Sequence, residues 1–124
     1  MRAVLLIAVG GAAGAVLRYW VSTGVYVALG RSFPYGTLAV NVLGSGIMGF
    51  LYVLLLERIT VAAEWRAVLL VGLLGAFTTF STFSIETLGL VEEGEPLRAL
   101  VNVGANVVMC LFAVWMGVVL GRQL

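Results

Sequence analysis

The stretch Gly75-Ala-Phe-Thr-Thr-Phe-Ser-Thr-Phe-Ser-Ile-Glu86 decides how this chain is read. It places six consecutive hydroxyl or phenyl side chains, Thr78 to Phe83, inside an otherwise apolar run, and follows them with Ser84 and the carboxylate of Glu86. Polar groups in hydrocarbon are costly unless they face protein, water or an ion. Two adjacent β-branched threonines beside a glycine and a phenylalanine also make a poor uninterrupted helix. A break near residues 75–79 is therefore expected, with this stretch as the working part of the protein and the rest as its housing.

The surroundings are those of a membrane. Only 10% of the 124 residues are charged and 62% are hydrophobic, with a mean hydropathy of +1.14. A soluble domain carries about 25% charged residues, so the chain reads as an integral membrane protein. Seven basic residues, all arginine, against six acidic ones leave a net charge of +1, which excludes a basic nucleic-acid footprint. The single cysteine, Cys110, permits neither an internal disulfide nor a multi-cysteine metal site. With no histidine, imidazole ligands, proton shuttles and Ser-His chemistry are absent. An enzyme is not expected.

Working outward, the chain divides into four apolar spans, at about 3–29, 37–56, 67–91 and 97–120. Each has the roughly 20 residues that cross a bilayer. The expected fold is an all-α membrane protein, a single four-helix transmembrane domain broken in its third helix. Arg2 followed by an apolar run and Ala13-Gly14-Ala15 has some features of a cleavable signal, but the apolar pattern continues past Arg18 to Leu29. Arg31, Pro34 and Gly36 form a short loop, and Glu92-Glu93-Gly94-Glu95-Pro96 an acidic turn.

Four crossings put both termini on one side, together with Arg2, Arg58, Arg66 and Arg122, against Arg31 and Arg98 on the other. That bias is weak under the positive-inside rule, so insertion in both directions, with an antiparallel dimer as product, is the corresponding hypothesis. Gly10-x-x-x-Gly14, Gly11-x-x-x-Ala15 and Gly117-x-x-x-Gly121 let helix backbones approach closely. Packing within one bundle is the plainer use of these patterns, and a dimer seam the alternative.

Three spans carry aligned polar side chains. Thr37, Asn41 and Ser45 fall at i, i+4 and i+8 on one helix face, and Asn102, Asn106 and Cys110 repeat the spacing. Thr79, Thr82, Phe83 and Glu86 share a face of the third span. A lone Asn or Thr is explained by interhelical hydrogen bonding, but three aligned stripes point to a polar track. Amide N–H, hydroxyl O–H and phenyl edges all carry partial positive charge. A cation path is expected to show acidic rings or carbonyl-rich filters, whereas this set suits a small anion that accepts strong hydrogen bonds. Arg18 either snorkels to an interface or draws anions into a vestibule.

The pieces Gly11-Ala-Ala-Gly14-Ala-Val-Leu-Arg18-Tyr19, Gly36-Thr37-Leu-Ala-Val-Asn41-Val-Leu-Gly44 and Gly75 to Glu86 resemble the small bacterial fluoride channels, called Fluc or CrcB. Length, span count and weak charge bias agree over essentially the whole chain. The resemblance implies a dual-topology antiparallel homodimer in the inner cell membrane, with two fluoride pores and a structural Na+ at its centre. It implies that Phe80 and Phe83 turn ring edges to fluoride, that Asn41 donates its amide, and that Thr37 lies on the same track. Gly75 and Thr78 would supply backbone carbonyls to sodium. Thr79, Ser81, Thr82 and Glu86 would belong to the polar track or its mouth. In the fourth span, Asn102, Asn106 and Cys110 occupy positions where the family carries hydroxyls; this is a departure, and a thiol is a weak donor. The implied activity is passive export of fluoride that entered acidified cells as HF.

Two rivals share the topology. A small multidrug transporter needs a membrane-embedded acid to bind cationic drugs and protons, and the first span carries Arg18 and no acid. A purely structural subunit would use its polar stripes only to bind helices together.

Overall fold

The computed structural model describes residues 1–124 as helices joined by short turns, with no strand. α1 runs Arg2–Leu29, α2 Tyr35–Val53, α3 Ala63–Arg66, α4 Gly75–Phe77, α5 Phe80–Glu92 and α6 Pro96–Gln123. Two π-wound segments interrupt this series. Leu54–Arg58 extends α2, and Ala67–Leu74 joins α3 to α4. The result is four spans of 28, 24, 30 and 28 residues, each long and apolar enough to cross a membrane. At about 1.5 Å per residue a 28-residue helix reaches about 42 Å, so both hydrocarbon and interface are covered.

Turn chemistry sets the ends. Gly30, at φ 84°, closes α1 by donating its N–H to the Tyr26 carbonyl at 2.8 Å, and only glycine takes that φ at no steric cost. Gly94, at φ 79°, turns the chain between α5 and α6, and Pro96 begins α6 where its missing N–H is not needed. The helices run a few residues beyond the apolar stretches, and ion pairs lie at these ends. Arg2 meets Glu64 and Arg122 meets Glu57, each at 3.4 Å, and Arg58 donates to the Arg122 carbonyl. These contacts gather both termini and the α2–α3 connection at one end of the bundle.

The glycine patterns are used inside the chain. Gly10, Gly14 and Gly72 are buried where α1 crosses the π-wound segment. A Cβ on Gly10 would lie 2.6 Å from the Val68 carbonyl oxygen, and one on Gly72 2.7 Å from that of Ile7. Gly117 and Gly121 similarly bring α6 onto Gly46, Phe50 and Val53 of α2. Val40 and Val53 are wholly buried at the centre.

The break in the third span is narrower than the expected 75–79. Gly75–Phe77 remain helical, and both the N–H and Oγ1 of Thr78 donate to the Leu74 carbonyl at 3.1 Å, which holds that turn closed. Only Thr78 (ψ 159°) and Thr79 (φ −151°, ψ 117°) are extended. Thr79 then caps α5, its Oγ1 accepting from the Thr82 N–H at 3.2 Å. A threonine in this role replaces a helix hydrogen bond that the extended backbone gives up.

Candidate functional site

The break exposes the main-chain N–H and carbonyl of one residue, Thr79, to side-chain partners. Asn41 of α2 takes both. Its Oδ1 accepts the Thr79 N–H at 2.8 Å and its Nδ2 donates to the Thr79 carbonyl at 3.0 Å. The same Nδ2 donates to Oδ1 of Asn106 on α6 at 3.1 Å. The second, third and fourth spans are thus joined at a single amide, at membrane depth, where unsatisfied backbone is costly.

Two cavities meet at this point, and Thr79 lines both. The outer one, of about 480 Å³, is bordered by Arg18, Tyr26, Arg31, Thr37, Thr82 and Glu86, among others. The inner one, of about 470 Å³, is bordered by Asn41, Ser45, Phe80, Phe83, Asn106 and Cys110, with apolar groups between them. Glu86 is half-buried and spanned by two hydroxyls: Thr37 Oγ1 donates to one carboxylate oxygen and Tyr26 OH to the other at 2.9 Å. Arg31 lies over the Tyr26 ring with its guanidinium carbon 4.6 Å from the centroid. Two arginines therefore face a cavity whose only carboxylate accepts a hydroxyl at each oxygen. The potential in such a cleft favours anions.

Beyond Thr79 the lining is neutral. Thr79 Oγ1 donates to Thr82 Oγ1 at 3.0 Å. Phe83 is buried, whereas Phe80 is 79% exposed, and their ring centroids stand 5.3 Å apart at 59°. Tilted rings of this kind present hydrogen-bearing edges, the positive rim of the aromatic quadrupole. Hydroxyls, an amide and ring edges are donors or near-donors, so the arrangement can pass a small anion from one cavity toward the other without a fixed charge to trap it.

The sequence-derived residues do not all meet here. Thr37, Thr79, Thr82, Glu86 and Arg18 share the outer cavity, and Asn41, Phe80, Phe83, Thr78 and Asn106 the inner one. Ser81 is exposed and lines neither; it reaches only Thr79 Oγ1, at 3.4 Å. Asn102, expected on the same track, lies apart from both cavities. It is 1% exposed, lines neither cavity, and donates to Thr87 Oγ1 at 2.9 Å. α6 turns its amide toward Thr87 of α5. Gly75 is exposed and lies outside both cavities. The carbonyls of Gly75 through Thr78 receive none of the backbone hydrogen bonds made outside the helices.

Tyr26, Arg31 and Thr87 were not singled out from the sequence. Tyr26 had a signal, since Arg18, Ser22 and Tyr26 repeat at four-residue spacing and line the outer cavity together. Thr87 follows Phe83 by four residues and bonds its carbonyl at 2.7 Å, an ordinary habit of a helical threonine that marks no site.

Fold and site together define a small all-helical, multi-pass membrane protein with donor-lined cavities on either side of a broken helix. A family profile described as "CrcB-like protein, Camphor Resistance (CrcB)" matches residues 5–118, and the chain belongs to that family. Relatives named "Fluoride-specific ion channel FluC" include one from Methylococcus capsulatus, 62% identical over 118 residues, or 95% of this chain and 52% of the relative. This chain thus spans about half the length of that protein. Another, from Magnetococcus marinus, is 53% identical over 116 residues, 94% of each chain. A third, from Geobacter sulfurreducens, is 48% identical over 124 residues, the whole of both. Membership places the chain among ion channels and not among enzymes. It does not favour the multidrug-transporter rival.

Proposed function

We propose that this chain is a fluoride channel that passes F− passively out of the cytoplasm across the inner cell membrane. The observation that carries the reading is the pair of donor-lined cavities meeting at Thr79, in a family whose relatives are named for fluoride. Fluoride is the halide that accepts the strongest hydrogen bonds, and neutral hydroxyl and amide donors replace part of its hydration without holding it fast. In this reading Arg18 and Arg31 draw the anion into the outer cavity. Thr37, Thr79 and Thr82 then pass it to Asn41 and to the edges of Phe80 and Phe83. Glu86 holds Thr37 at the mouth.

The working unit in this reading is an antiparallel homodimer. Gly75, Phe80, Ser81 and Ser84 are exposed near the middle of a membrane span, where hydroxyls facing lipid are costly. A second copy laid across the break covers them, and the weak arginine bias permits the opposite insertion it requires. The structure also fits a structural Na+ at the dimer centre. The carbonyls of Gly75 and Thr78 are free of backbone partners outside the helices. Those carbonyls would hold the ion, which supplies positive charge beside the break and is not itself transported.

The test is fluoride efflux from proteoliposomes, followed with a fluoride-selective electrode. Wild-type protein is expected to release fluoride, and Phe80→Ile or Asn41→Asp to lose most of that flux. Unchanged efflux in both variants rejects the site assignment, and no efflux from wild type rejects the function. Reaction of single cysteines placed at each terminus, probed from both sides of the membrane, checks the two orientations.

A further inference from the structure

One row of buried side chains lines no path of its own along most of its length, yet it ends on Asn41. Thr87 donates its hydroxyl to the Phe83 carbonyl at 2.7 Å and so offers only its lone pairs to Asn102, whose Nδ2 reaches it at 2.9 Å. Asn102 Oδ1 is thereby turned to Asn106. Asn106 Nδ2 donates both to that oxygen, at 3.0 Å, and to the Asn102 backbone carbonyl, at 2.9 Å. Both amide protons of Asn106 are then used. Its own Oδ1 is left pointing at Asn41 Nδ2, 3.1 Å away. The order cannot be reversed locally. Turning the Asn106 amide over would set N–H against N–H at Asn41 and oxygen against two oxygens at Asn102. Turning Asn41 over would break both its bonds to Thr79. Asn102 is 1% exposed and lines neither cavity, so water does not relieve a mismatch there.

The ladder gives the two protons of Asn41 different standing. One is bound to the main-chain carbonyl of Thr79, which the break itself depends on. The other is bound to a side-chain oxygen on the wall of the inner cavity. We infer that Asn106 is a positioning residue for anion passage: its side-chain oxygen aims one N–H of Asn41 at the inner cavity and competes with the anion for it. Anion binding is then traded against one internal hydrogen bond, which keeps the anion weakly held and quick to leave. The inference rests on the anion-path reading above. It also assigns Asn102 and Thr87 the task of orienting Asn106, with no contact to the ion.

The chain has three asparagines, so protein labelled with 15N-asparagine in micelles or nanodiscs gives three side-chain NH2 signal pairs, assignable through the backbone. In wild-type protein, added sodium fluoride is expected to shift the Asn41 and Asn106 pairs together, because Asn106 loses a partner as Asn41 gains one. Sodium chloride at the same concentration serves as control. Movement of Asn41 alone, with fluoride efflux intact, overturns the proposal. In Asn106→Ala the competitor is gone. The Asn41 pair is expected to shift before any fluoride is added, and half-maximal efflux to need about five-fold less fluoride, the worth of one neutral hydrogen bond, with a lower maximal rate. An unmoved Asn41 signal, or an unchanged half-saturating concentration in active vesicles, refutes it. The fluoride-free spectra test the Asn41–Asn106 contact even if wild-type protein conducts no fluoride, an outcome that would fall on the functional reading.

Discussion

Asn41→Leu removes the polar group that bridges the break while keeping the branched shape of the side chain. Three hydrogen bonds go with it, at 2.8, 3.0 and 3.1 Å. At about 1 kcal/mol net for each, the loss is about 3 kcal/mol. Thr79 is only 7% exposed, so its stranded N–H and carbonyl are poorly reached by water and raise the cost toward about 5 kcal/mol. The added leucine carbons recover part of this where Asn41 was half-buried. A destabilisation of about 3 kcal/mol is therefore expected. Equilibrium unfolding with SDS in mixed micelles, followed by far-ultraviolet circular dichroism, measures it. Amide hydrogen exchange read by mass spectrometry adds a local test, since the Thr79 N–H should lose its protection while α6 amides near Val114 keep theirs. A variant within 1 kcal/mol of wild type with Thr79 still protected would show that the break is held by something other than Asn41.

Other substitutions probe different links. Gly14→Ala drives a methyl into the Leu73 carbonyl region and is expected to cost at least about 2 kcal/mol by overpacking. Gly24→Ala, with nothing within 4 Å, should be neutral in the same unfolding assay. Thr87→Val keeps shape but removes the acceptor for Asn102, and about 1–3 kcal/mol should be lost by leaving a buried amide proton unpaired. Glu86→Gln leaves one of the Thr37 and Tyr26 hydroxyls without its carboxylate partner and removes the charge opposing Arg18 and Arg31. Efflux at low fluoride should rise and depend more steeply on ionic strength, and a fall in efflux with unchanged salt dependence would contradict the vestibule assignment.

The sequence carried the spans and the polar faces because both are periodic signals. Thr37, Asn41 and Ser45 stand on one side of a helix whatever that helix packs against, and twenty apolar residues have few other uses. The location of the break was partly legible: the threonine pair marked it, but the closing of Thr78 onto Leu74 depends on a side-chain hydrogen bond that no spacing rule contains. The π-wound Ala67–Leu74 was not legible, since its apolar run carries no pattern that sets it apart from an ordinary α-helix. The placement of Asn102 was not legible for a similar reason. Its spacing from Asn106 is that of a polar stripe, but which end of a stripe meets a cavity depends on helix tilt, and that is fixed by packing. Tyr26 lay too far along the chain from Glu86 for the pair to be paired by inspection.

The interruption at Thr78–Thr79 also does electrical work. A continuous helix would carry its partial charges only at its two ends, in the interfacial water. Cutting the third span brings an inner pair of ends to mid-membrane: the carbonyl end of the segment closing at Phe77 and the N–H end of α5 beginning at Phe80. Each end is equivalent to roughly half an elementary charge, negative and positive in turn. They stand one extended dipeptide apart, so a negative field and a positive field lie side by side in the hydrocarbon. The chain thereby sets opposite partial charges at neighbouring places without burying a charged side chain there.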